Sequence, residues 1–437
     1  MGKKRKTLDT TFLHPRAQEL QDFLEHRLKR QPRAIKSVVE AYNNFLSPVW
    51  ENGPILALLA MGPSGSGKTY LLKLLAEFFL GDQKAITKVS CPSHNERHTL
   101  ASLIGAPPGY IGYDEEPRLS QKRLEAPALK LAVEKYLKND ERAKKLRQEA
   151  DNALRQVRLA RRPEAKMALL MQYGQKESEY KSYVQLKLCD KPLFIFLLFD
   201  ELEKGHEAIH HFLLEATDEG ETRLANGEPV NLKHAFIVMT SNVGSDKIAS
   251  IMQGSHGLGF FNGERNDATV TQKVGDDIYG VSIKEAEKVF RPEFLGRVQV
   301  VVYHPLDREG LDEIFGERIS ALTEHLASMG FPLALDIHAA VRDFIVTEAT
   351  DHPKFGARLL NKKIEHHIGN PIARLIGSGQ VTRDDDKLYL ELVPAAGGKG
   401  KPSVIFKKDD RPPKAPPPLP EDPPAKPAEP APKASSE

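Results

Sequence analysis

The chain has 437 residues, 40% of them hydrophobic, and a formal net charge of +2, which allows two or three domains with a sizeable core and argues against a nucleic-acid partner. No apolar run reaches the roughly 18 residues of a membrane span, and the start MGKKRKTLDTTF lacks the apolar core of a secretory signal, so the expectation is no membrane and a cytoplasmic location. Cys91 and Cys189 stand in no CxxC or Cys/His cluster, which argues against a disulfide framework or structural zinc site.

In chain order, residues 1–15 carry the basic run Lys3 to Lys6 and read as a solvated, disordered end. Residues 16–46 have helical spacing. The apolar run ILALLAM (55–61) reads as a strand, GPSGSGKT (62–69) as a glycine loop, and the segment from Tyr70 to Phe79 as a helix. In such a unit Gly62, Pro63, Ser64, Gly65, Ser66 and Gly67 form a turn whose backbone N–H groups converge on phosphate oxygens at a helix N-terminus. Lys68 would reach the outer phosphates, and the Thr69 hydroxyl would face Mg²⁺.

A short strand at 85–90 leads to a glycine and proline loop at 104–116, then to a long polar helical stretch from about 118 to 187. Within it, residues 138–166 hold ten Lys or Arg against five acidic residues, with Leu146, Ala150, Leu154 and Val157 on one helical face. A coiled-coil arm and a solvated helical hairpin broken at Pro163 both fit. The strand at 193–199 ends in Asp200 and Glu201: the first is suited to Mg²⁺, often through water, and the second to orienting or deprotonating a water. With GPSGSGKT these acids imply binding and hydrolysis of Mg-ATP.

A helix near 206–216 and a strand at 235–240 complete an alternating pattern, so the fold class is α/β: a P-loop NTPase parallel sheet with helices on both faces. From about 305, helical segments at 307–328, 337–350 and 354–376 and a strand at 387–393 suggest a small, mainly helical domain. Residues 411–437 contain 11 prolines in 27 positions and read as an extended tail. The expected layout is 16–304 for the ATPase domain with an insertion near 118–187, 305–394 for the small domain, and 395–437 for a disordered tail.

Six strings in one order, GPSGSGKT, GAPPGYIGY, LLFDELEKGH, VMTSNVGS, FRPEFLGR and KFGAR, resemble the Clp ATPases of the AAA+ superfamily, specifically the second ATPase module of the ClpA, ClpB and ClpC type. The resemblance implies a sensor role for Asn242 at the γ-phosphate or attacking water. It makes Arg297 similar to the arginine finger given to the next subunit's ATP, with Arg291 as the competing candidate, and Arg358 similar to the second sensor on a helical lid. In the family the aromatic of the loop holding Gly109, Tyr110, Ile111 and Gly112 lines the central pore of a ring, where its ring face can grip a chain regardless of sequence. Segment 218–231 resembles a second pore loop more loosely.

The resemblance therefore implies an ATP-driven unfoldase or disaggregase: a homo-oligomeric ring, six subunits by family likeness, that threads unfolded or aggregated polypeptide. An alternative within the class is delivery to a ClpP-type peptidase, since HGLGF places Leu258, Gly259 and Phe260 like a peptidase-docking tripeptide. A nucleic-acid remodeller or scaffold fits less well, because the loop after Tyr110 is neutral to acidic. Three departures stand out. Lys68 and Asp200 lie 132 positions apart, Glu115 to Arg118 replace the usual glycines, and without a preceding ATPase module or recruiting domain a single-ring variant is expected.

Overall fold

The computed structural model describes residues 11–48, 50, 52–110, 113–248, 278–352, 355–393 and 402–409. Helices α1 (Pro15–Arg27) and α2 (Pro32–Phe45) precede strand β1 (Leu56–Met61), helix α3 (Lys68–Leu80), strand β2 (Thr87–Ser90) and helix α4 (Arg97–Ile104). Helices α5 (Gln121–Tyr136), α6 (Glu141–Leu159) and α7 (Pro163–Leu188) come next. Strand β3 (Ile195–Asp200), helix α8 (Glu207–Asp218), the hairpin β4 (Glu221–Arg223) and β5 (Pro229–Asn231), strand β6 (Ala235–Ser241) and strand β7 (Gln299–Val302) complete the nucleotide-binding half.

The five-stranded sheet has the order β2-β3-β6-β1-β7 and every pairing is parallel. Such strands are buried on both faces, which is why β1, β3 and β6 read as unbroken apolar runs. Alternation then sorts their side chains. Leu58, Ala60, Phe196, Leu198, Phe236 and Val238 pack with α1, α2 and α3, while Leu59, Met61, Leu197, Phe199, Ile237 and Met239 pack with α8 and Phe290. The Phe196 and Phe236 rings stack at 5.2 Å between centroids, tying β3 to β6. Register places Met61 opposite both Ser241 and Val302, so the carboxyl ends of β1, β3 and β6 open onto one edge of the sheet. In open α/β sheets that edge is where ligands bind.

The inserted stretch is a helical hairpin, with α6 and α7 packed together and Pro163 at the first turn of α7, where its missing N–H costs nothing. Leu137, Ala143, Val184 and Leu188 form a small core at its base. The expected apolar face of α6 is only partly right: Ala150 and Val157 are buried, but Ala143 and Ala153 fill the places left by half-buried Leu146 and Leu154. Asp140 caps α6 by accepting from the Ala143 N–H at 2.8 Å and also accepts from the Tyr183 hydroxyl.

Contacts divide the chain into two compact units, one of residues up to 315 with 346–362, the other of 316–345 with the chain from 363 onward. This division differs from the sequence boundary at 305 in two ways: residues 305–315 and residues 346–362 both group with the first unit. The strand expected at 387–393 is present in the second unit and has neighbours on both sides. That unit holds a three-stranded sheet in which β9 (Lys387–Val393) pairs parallel with β8 (Ala334–Ile337) and antiparallel with β10 (Ser403–Lys407). Strand β10 corrects the expectation of a disordered tail from 395, since the apolar SVIFK segment pairs before the prolines begin. Among the described residues, no helix is long and apolar enough to cross a membrane.

Candidate active site

The loop between β1 and α3 is held from both sides by backbone. Gly62 and Gly65 have φ of +130° and +77°, and a Cβ at these positions would lie 2.5 Å from the Tyr303 carbonyl oxygen and 2.2 Å from that of Phe355. Only glycine fits either place. The Ala357 N–H donates to the Gly65 carbonyl at 3.1 Å, so the start of the helix Gly356–Ile364 is joined to the phosphate loop main chain to main chain. That contact brings Arg358 to the site: the Arg358 side chain is exposed, and its charge acts on both Lys68 and Asp200.

Lys68 opens α3 and is only 7% exposed. Its Nζ donates to the carbonyls of Gly62 at 2.6 Å and Pro63 at 2.8 Å, and to Asn242 Oδ1 at 3.1 Å. All three acceptors are neutral. Burial therefore pulls the ammonium down to about 8, with Glu203 countering the shift and Arg358 adding to it. Among the described residues no anion stands at hydrogen-bond distance from this buried cation, which makes it a place suited to one.

Asp200 Oδ1 accepts from the Thr240 hydroxyl at 2.7 Å, and Oδ2 pairs with Lys88 Nζ at 2.6 Å. Burial works against the charge of Asp200, but these two donors outweigh it and hold the carboxyl below its ordinary range. Asp200 is thus an anion at neutral pH. Glu201 sits at φ +57°, a left-handed conformation that costs a non-glycine residue about 1 kcal/mol or more. Its N–H donates to Thr240 Oγ1 at 3.1 Å and its Oε2 pairs with Lys204 at 2.7 Å. Glu201 stands between the end of β3 at Asp200 and the 3-10 turn Leu202–Lys204.

Three participants escaped the sequence reading. Thr240 bridges Asp200 and Glu201, and Lys88 balances Asp200, both from neighbouring strands. Glu203 Oε1 accepts from the Asn242 N–H at 3.1 Å, while its buried Oε2 has no hydrogen bond among the described residues. Glu203 was visible in the string DELEK, but its partner lies on another strand and only the sheet order joins them.

The other expected residues lie apart from this group. Arg297 donates to the Leu214 carbonyl at 3.1 Å and pairs with Asp218 at 3.5 Å and Glu293 at 3.4 Å, whereas Arg291 contacts Glu207. Tyr110 is 71% exposed on a turn whose N–H donates to the Pro107 carbonyl, beside Gly109 with open space around it. Ile111, Gly112, Leu258, Gly259 and Phe260 lie outside the described residues. Segment 218–231 forms the β4 and β5 hairpin.

The profile of the family described as AAA domain (Cdc48 subfamily) matches residues 53–129 and 126–301, and that of the C-terminal, D2-small domain, of ClpB protein matches residues 306–389. Chaperone protein ClpB of Gloeobacter violaceus is 29% identical over 375 residues, covering 85% of this chain and 33% of the relative. Chaperone protein ClpB2, chloroplastic, of Oryza sativa subsp. japonica is 26% identical over 394 residues, covering 89% and 32%. The chain spans about a third of the length of these curated relatives. A cryo-EM reconstruction of Hsp104 in its closed state with ATPγS and FITC casein shares the fold at a TM-score of 0.58 and 21% identity, over 90% of this chain and 52% of that one. The two profiles meet where the sequence changes character near 305, and together they establish that the chain belongs to the AAA family, in the Clp-type second-module arrangement of a P-loop domain followed by a ClpB-type small domain.

Proposed function

We propose that this chain is an ATP-dependent protein unfoldase or disaggregase that works as a ring of copies, six by family likeness, and draws unfolded or aggregated polypeptide past Tyr110. The observation that supports the reading is the convergence of Lys68, Asp200, Glu201 and Asn242, through Thr240 and Glu203, at one end of a parallel sheet beside a glycine loop.

In this reading Lys68 exchanges neutral carbonyls for phosphate oxygens, which removes the penalty on its buried charge. Thr69 and ionised Asp200 are hard oxygen donors that suit Mg²⁺, which when bound neutralises charge on the phosphate oxygens. Glu201, on its strained turn, orients or deprotonates the attacking water. Asn242 holds the water or γ-phosphate with its amide, and Arg358 reports the nucleotide from the same chain. Arg297, paired locally in one copy, is offered to the nucleotide of the next. Tyr110, exposed on a glycine-flanked turn, supplies a grip that needs no sequence recognition.

The test uses two variants. Glu201→Gln with ATP should trap an assembled ring holding a labelled unfolded protein, and Tyr110→Ala should keep ATP turnover while losing the unfolding of a tagged reporter. A Tyr110→Ala chain that unfolds the reporter at the normal rate overturns the pore assignment.

A further inference from the structure

The hairpin of α6 and α7 changes character along its length. Near the base its charges are matched: Lys144 pairs with Glu141, Arg147 with Asp151, Lys176 with Glu149 and Lys181 with Glu177. Arg142 and Lys187 lie over the Tyr183 ring. Toward the turn this matching stops. Arg155, Arg158, Arg161, Arg162 and Lys166 are all exposed and have no ion pair or side-chain hydrogen bond among the described residues, and Glu164 is the single acid between them.

The same end is apolar. Met167, Leu170 and Met171 follow helical spacing along one face of α7 and are 60%, 43% and 73% exposed, and Leu159 at the end of α6 is 73% exposed. Near the base of the hairpin the apolar side chains of α7 are covered, with Val184 and Leu188 buried and Tyr180 packed against them, whereas toward the turn Met167, Leu170 and Met171 are left open. Gly174 continues the outer stripe with open space where its Cβ would be, so a partner can approach the backbone there.

We propose that this end of the hairpin docks an acidic amphipathic segment of a partner protein, apolar side chains against the Met167, Leu170, Met171 stripe and carboxylates against the five free cations. Charge complementarity chooses the occupant, because an unopposed cluster of cations beside an apolar stripe is satisfied only by a surface that is both acidic and apolar. Nucleic acid would use the cations and leave the stripe wet, and Tyr173, the one aromatic residue from 159 to 174, is half-buried rather than presented to a base. A lipid surface fits less well, since Tyr173, the aromatic residue beside the stripe, is half-buried rather than exposed as an interfacial anchor. Unbranched methionines suit a partner helix, whose shape they can follow.

The experiment uses the full chain and three labelled probes: a synthetic helix with leucines on one face and glutamates on the other, the same helix with lysines for glutamates, and a 20-nucleotide single strand. Vesicles containing phosphatidylserine form a fourth arm. Fluorescence anisotropy of the acidic helix should show saturable, salt-weakened binding, reduced by about tenfold or more in both Met167→Gln/Met171→Gln and Arg158→Ser/Arg162→Ser. Both variants change exposed residues only, so unchanged thermal unfolding and ATP turnover exclude loss of fold. Binding of the acidic helix no tighter than the lysine helix, equal binding by either variant, or a preference for vesicles or the single strand overturns the proposal.

Discussion

A lysine buried against neutral oxygens must respond to pH in a definite direction. The free Lys68 ammonium titrates at about 8, and phosphate contact restores its charge, so binding takes up a proton above that pH. Affinity for MgATP should be flat below pH 8 and then fall, by at most about tenfold per unit, in calorimetric titrations of the Glu201→Gln form. Constant affinity from neutral pH to well above 9 would contradict the assignment. Glu203 has two separable tasks, holding the Asn242 backbone and supporting the charge of Lys68. Glu203→Ala should lower kcat by about tenfold or more and, by removing the charge beside Lys68, also move the pH break of nucleotide affinity below 8. Glu203→Gln should recover much of kcat but move the pH break of affinity below 8, a shift that a merely structural role would not produce. The sequence disclosed Lys68 and Asp200 because both are fixed by chain neighbours. It hid Thr240 and Lys88, because their roles exist only once β2, β3 and β6 lie side by side.

Among the elements, the α6 and α7 hairpin has its own small core, distinct from the two cores flanking the sheet. Leu188 is buried there with Leu137, Ala143 and Val184, and Leu188→Ala should cost about 2–4 kcal/mol locally. Hydrogen exchange should then speed up in α6 and α7 while β1, β3 and β6 stay protected and ATP turnover persists. Loss of protection throughout the sheet would mean that the hairpin is part of the main fold. Periodicity announced these helices but could not choose between an arm and a hairpin, since that depends on which face meets which. It also passed over β8 and β10, whose short runs gain their strand character from pairing with β9.

At the scale of the molecule, Arg297 has its partners in Asp218, Glu293 and Leu214, none of which belongs to the phosphate loop of the same copy. If it serves a neighbour, ATP turnover per chain should rise with concentration. Arg297→Ala and Lys68→Ala, each inactive alone, should regain part of the activity when mixed, because some seams then hold one intact finger and one intact loop. A mixture as inactive as its components would restrict Arg297 to local ion pairing. The alternation of strands and helices revealed the large domain in the sequence, but not the return of residues 346–362 to it. Helical spacing marks Val346, Ala349 and Leu360 as apolar positions to be buried but not the unit they are buried in, and the join at Ala357 rests on the main chain.

That return has a consequence for anyone searching this protein by mutagenesis. The join between Ala357 and Gly65 is written in main-chain atoms that every residue but proline shares, and position 357 is already alanine, so trimming side chains on that side leaves it unseen. Proline at 357 is the one replacement that deletes the donor, at a helix start that otherwise tolerates it, and would uncouple the two segments while leaving each intact.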